Sequence, residues 1–116
     1  MNLEDIAEEF ARNVAAQTDA IQRGDSKGGN KCAKRYTAAF KKLRDQGEVG
    51  RDALAALLTH PRMDVRVYAA IFLLSDRPEQ AKPVLEEAAR EKGMIPFEAS
   101  QALKYWEEGT WSLDVD

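Results

Sequence analysis

At 116 residues and 13.0 kDa the chain has room for one domain and not for two. Its 44% hydrophobic and 32% charged residues fit a folded protein rather than a disordered one, and 7 glycines with 4 prolines exclude collagen-like or proline-rich architectures. Twenty acidic residues against 17 basic ones, a formal charge of -3, do not by themselves indicate a polyanion partner.

The first segment, from about Asn2 to Arg23, places Leu3, Ile6, Phe10, Val14, Thr18 and Ile21 at intervals of three and four, one apolar stripe on an amphipathic helix. Asn2 suits the N-cap, and Glu4, Asp5, Glu8 and Glu9 suit the positive end of the helix dipole. After Gly24-Asp25-Ser26 a second helix runs from near Ser26 to Gly47, with its firm part starting at Asn30 because Gly28 and Gly29 weaken the first turn. Cys32, Tyr36, Phe40 and Leu43 form its buried face.

A third helix, Val49 to Thr59, carries Leu54, Leu57 and Leu58, and His60-Pro61-Arg62-Met63 makes the following turn. Asp64 is the expected cap of the fourth, Val65 to Ser75, which is apolar almost all round and therefore expected at the centre of the core. The fifth, Glu79 to Lys92, buries Ala81, Val84, Leu85, Ala88 and Ala89, with Pro78 in its first turn and Pro83 there too or at a break. Gly93 ends it. The sixth, about Pro96 to Glu108, uses Ala99, Ala102, Leu103 and Trp106, and Gly109 stops it before the tail Thr110–Asp116.

The expected fold is thus all-α. It is a six-helix α-α superhelix of antiparallel pairs, with a helix pair over 1–47, HEAT-like pairs over 48–109 and a tail over 110–116. The HEAT-like element is a leucine helix, a proline at the turn, Asp64-Val65-Arg66 and the alanines of the next helix; stacked pairs of that kind bury a shared core.

The chain also resembles a small bacterial HEAT-like, all-helical family of unknown function. The resemblance rests on Gly50-Arg51-Asp52-Ala53-Leu54, on His60-Pro61 through Ala70, and on Phe97-Glu98-Ala99 running to Trp106-Glu107-Glu108-Gly109. Members of that family look like immunity proteins of bacterial toxin systems or orphan relatives of them. The resemblance therefore implies a toxin-neutralising partner protein, and it brings no catalytic residues.

Residue chemistry points away from an enzyme. There is no phosphate-binding glycine loop and no His-Glu-x-x-His. The single His60 sits in a turn before Pro61, and the single Cys32 shares the Tyr36 stripe and reads as a small buried residue. One Cys and one His cannot close a zinc site without carboxylates, so neither metal nor cofactor is expected. Glu86-Glu87 and Glu107-Glu108 are sequence neighbours, which point about 100° apart on a helix and make poor dyads. A lone cysteine, an acidic N-terminus and no apolar run longer than Val67–Leu74 fit a cytoplasmic protein with no membrane segment.

Charge is segregated along the chain. Between Arg23 and Arg44, eight basic residues face one acid, Asp25, whereas from Glu79 onward nine acids face four bases. Two surfaces follow. The acidic end groups Glu107, Glu108, Asp114 and Asp116 around Trp111, which either covers the last helices or anchors a partner; the reading adopted is an anchor, because hot spots need a desolvated aromatic more than charge alone. The alternative is the basic face of helix two: Lys27, Lys31, Lys34, Lys41 and Lys42. Nucleic acid is disfavoured there, since no aromatics interleave with the lysines and the total charge is negative. The expected function is a non-enzymatic protein-binding module, an immunity-type inhibitor acting by occlusion; the alternatives are a nucleic-acid-associated adaptor and a general HEAT-like scaffold.

Overall fold

The computed structural model describes residues 2–113. Over them the chain forms α1 (Leu3–Gln22), α2 (Ser26–Asp45), α3 (Glu48–Ala55), a 3-10 turn (Ala56–Thr59), α4 (Met63–Leu73), α5 (Pro78–Ala89) and α6 (Met94–Glu107), and no strand occurs among the described residues. The fold is all-α, as the periodicity requires.

Asn2 caps α1, its side-chain oxygen accepting the Asp5 N–H at 2.8 Å. Ile6, Phe10, Val14 and Thr18 are buried as the stripe demands, but Ile21 is 45% exposed. At this end of α1 the small Ala20 turns inward and is 1% exposed, while Ile21 sits at the rim beside Gly29 of α2. Helix α2 starts at Ser26, as expected, and its first turn is helical despite Gly28 and Gly29. Asp25 is the N-cap and accepts the Gly28 N–H at 2.9 Å, and a side chain at position 28 would run into that carboxylate, so glycine there serves the cap.

Gly50 has a similar logic on a larger scale. A Cβ on it would overlap the backbone carbonyl of Leu43, so the crossing of α2 and α3 is set by the missing side chain. The third helix is shorter than expected. It stops at Ala55 and tightens to 3-10 geometry through Thr59, because His60 must be extended (φ -61°, ψ 145°) ahead of Pro61.

Helix α4 packs against α1, α3, the 3-10 turn, α5 and α6. Val65, Val67, Ala69, Ala70, Leu73 and Leu74 are all essentially inaccessible, which an all-round apolar helix achieves only from the centre. Phe72 is the hub of an aromatic cluster: its ring centroid lies 4.6 Å from Phe40, 5.4 Å from Phe10 and 6.0 Å from Tyr36. Tyr68 extends the cluster edge-on to Tyr36 at 5.7 Å.

Asp64 is not the cap residue of α4 but lies inside its first turn, accepting the Val65 N–H at 2.9 Å. Pro83 lies in the interior of α5 rather than at its start or at a break. Its ring is on the exposed face, while Ala81 and Leu85 hold the helix on α4 and α6. Helix α6 begins at Met94, two residues before the expected Pro96, and Gly93 with φ 133° makes the corner.

Candidate functional site

Three polar constellations lie within the helical frame. Asp64, 5% exposed, accepts two hydrogen bonds from the Arg62 guanidinium at 3.0 Å each, and Arg62 reaches Asp19 of α1 at 3.3 Å. Burial works against the charged carboxylate, but the bonds from Arg62, Thr18 and the Val65 N–H outweigh it and hold Asp64 below the usual carboxylate range. Arg66 donates to the carbonyls of His60 and Pro61 at 2.8 and 3.0 Å, and His60 Nδ1 accepts the Arg62 N–H at 3.0 Å. Asp64 and Arg66 therefore lock the turn, and His60 is one of its parts.

The second constellation ties α3 to the loop before α5. Arg77 contacts Asp52 at 2.7 Å and Glu48 at 3.1 Å, while Arg51 contacts Asp76 and Glu48, each at 3.2 Å. The third sits beside the aromatic cluster. Tyr36 donates its hydroxyl to Gln17 at 3.3 Å, and Tyr68 lies beside Glu98 of α6. Burial raises the Tyr68 phenol pKa strongly, and the Glu98 carboxylate adds to the effect. The first two constellations pair acid with base across neighbouring elements, and among the described residues no group of His, Cys, Asp and Glu is arranged to hold a metal. Cys32 is half-buried rather than fully enclosed.

The residues expected to bind a partner divide unequally. Glu107 and Glu108 are exposed at the end of α6. Trp111 folds back, half-buried against the hydrophobic core, with its indole N–H enclosed and unpaired among the described residues. Asp114 and Asp116 lie outside the described residues. What the sequence reading missed is the outer face of α6. Met94, Phe97 and Tyr105 are 41%, 61% and 45% exposed, three of the large apolar side chains left open to solvent. At about 100° per residue they fall, with Gln101 and Glu108, within an arc of roughly 80°, so they form one stripe running to the acidic end. Glu98, beside Tyr68, flanks it. The available signal was that Phe97 lies opposite the Ala99-Ala102-Trp106 face that α6 must bury.

The basic face of α2 is as patterned. Lys27, Lys31, Lys34 and Lys42 are exposed and Lys41 is half-buried. All five fall within about 100° of arc over roughly 22 Å of helix. None forms an ion pair among the described residues. Ala38 and Thr37, not aromatics, lie between them, and Arg44 turns away, with its guanidinium 5.7 Å from the centre of the Phe40 ring.

The crystal structure of the protein RPA1889 from Rhodopseudomonas palustris CGA009 is similar to this fold at a TM-score of 0.91, with 24% sequence identity over 98% of this chain and 95% of that one. At that identity the likeness carries the fold alone. No match is found among curated proteins. The family of residues 4–106 is described only as a domain of unknown function, DUF2019, and the chain belongs to it.

Proposed function

We propose that this protein is a non-enzymatic helical module that binds another protein through the outer face of α6, acting in the cytoplasm as an immunity-type inhibitor of a bacterial toxin. The observation that carries the reading is the stripe of Met94, Phe97 and Tyr105, open to solvent and continued by Glu108, with Glu107 nearby. Phe and Tyr bring large contact area at a cost of two side-chain torsions each, which suits a preformed docking face. The carboxylates suit a partner whose site is basic, as in a toxin that acts on nucleic acid, and would speed the encounter. Inhibition would then be occlusion, the α6 face covering the toxin's groove. We read α3–α4 and α5–α6 as HEAT-like pairs, supported by the Asp64 and Arg66 locks at the first turn. In this reading Trp111 covers the end of the stack and braces α6, and the partner meets Phe97 and Tyr105.

The test is co-expression with a candidate toxin sought among the products of neighbouring genes, followed by titration calorimetry on the purified pair. Growth should be rescued, and Phe97→Ala or Tyr105→Ala should each weaken binding by about 2 kcal/mol, the hot-spot threshold. Reversing Lys34 and Lys41 should change affinity little. Loss confined to the lysine variant would refute the choice of face.

A second reading, a nucleic-acid-associated adaptor, has one observation in its favour: the five lysines on one face of α2, which form no ion pair among the described residues. It requires salt-sensitive oligonucleotide binding that disappears on charge reversal in α2.

A further inference from the structure

A groove of about 710 Å3 runs between α1 and the α3–3-10 segment, on residues that neither α6 nor the basic face of α2 contributes. Its walls are two rows at four-residue spacing, Leu3-Ala7-Ala11 and Val49-Ala53-Leu57. Alanine at the middle of both rows, with Ala56 beside them, keeps the walls low, so a further helix could settle at the roughly 8–10 Å interaxial distance of packed helices. Val49 is 56% exposed, the apolar side chain left most open on this side. The charge is one-sided. Glu4 and Glu8, a turn apart on α1, edge the groove and form no ion pair among the described residues. Asp52 edges the other wall, already paired with Arg77 at 2.7 Å. No Lys or Arg lines the groove.

We infer that this groove docks an amphipathic helix of a partner protein, one that lays apolar residues along the alanine floor and carries Lys or Arg at i and i+4 opposite Glu4 and Glu8. Leu3 to Ala11 spans about 12 Å, two helical turns, so the occupant presents anchors at i, i+3 or i+4, and i+7. The matching cationic pair follows from the helical spacing of the two glutamates. This inference is independent of the α6 reading, because the two surfaces share no residue.

The probe is a 14-residue amphipathic peptide with Leu anchors and Lys at the two edge positions, compared with its Glu counterpart. Binding is followed by fluorescence anisotropy and by amide shifts of the full chain. The Lys peptide should bind at least tenfold more tightly than the Glu peptide and should shift Ala7, Val49 and Leu57. Glu4→Lys/Glu8→Lys should weaken it at least tenfold, and Glu8→Gln, a milder change, should weaken it severalfold if the double variant folds poorly. Val49→Asp separates docking from charge attraction: it adds a negative charge yet should weaken the Lys peptide at least fivefold. Unchanged or tighter binding to Val49→Asp, equal binding of both peptides, or shifts confined to α2 or α6 would overturn the inference. So would self-association abolished by Val49→Asp, which would make the occupant a second copy of this chain.

Discussion

Phe72→Ala removes the ring that joins α1, α2 and α4. Phe72 is 7% exposed and touches Phe10, Phe40 and Tyr36, with the closest centroid at 4.6 Å. Loss of a buried aromatic to alanine costs about 3–5 kcal/mol from lost transfer energy and the cavity left behind. The upper half of that range applies, because three rings lose a partner at once and aromatic pairs contribute roughly 0.5–1.5 kcal/mol beyond burial. These neighbours stand on two other helices, α1 and α2, so collapse into the cavity would require moving whole elements. For a chain of this length the entropy of unfolding is on the order of 0.24 kcal/mol/K, so the melting temperature should fall by roughly 17–21 °C. Urea unfolding followed by tryptophan fluorescence and circular dichroism measures the difference. Phe72→Leu is the control: it keeps most of the volume and should cost about 1–2 kcal/mol. A loss below about 1 kcal/mol for Phe72→Ala, with an unchanged denaturant slope, would refute the placement of α4 at the centre.

Gly50→Ala should destabilise the fold by about 1–2 kcal/mol despite the better helix propensity of alanine, because the new methyl meets the Leu43 backbone carbonyl, which cannot rotate away. Equal or greater stability in the same urea assay would show that α2 and α3 cross less closely. Asp64 has a depressed folded-state pKa, so its contribution is present above the unfolded value of about 3.9 and is lost as pH falls through the lower folded value. Asp64→Asn should cost about 1–3 kcal/mol at neutral pH, since Arg62 keeps solvent contact and Asp19 after the loss, and should flatten the acid limb of stability against pH. Parallel pH profiles for the two proteins would contradict the role given to Arg62.

Six helices and their order were legible because the signals for them are local. Apolar spacing, the Asn2 cap, the glycines at 47 and 93 and the proline at 61 act within one or two turns of chain. The centrality of α4 was legible too, since a helix with no polar face has nowhere else to go. The shared basic face of α2 follows from helical spacing alone, although its lack of ion pairs among the described residues does not. Tertiary structure decided the rest. Ile21 fits its stripe but is turned out, while its neighbour Ala20 takes the buried position. Phe97 and Trp111 are both large aromatics near the acidic end. Which of them is covered depends on how α6 lies against α4 and α5 and where the chain goes after Gly109, and no local pattern encodes either. The groove beside Glu4 and Glu8 needs residues about 45 positions apart in sequence, brought together only when α1 and α3 pack on α4. Periodicity reports which face of each helix is apolar; the neighbours each face finds, and the apolar surface left over, are set by packing across the whole chain.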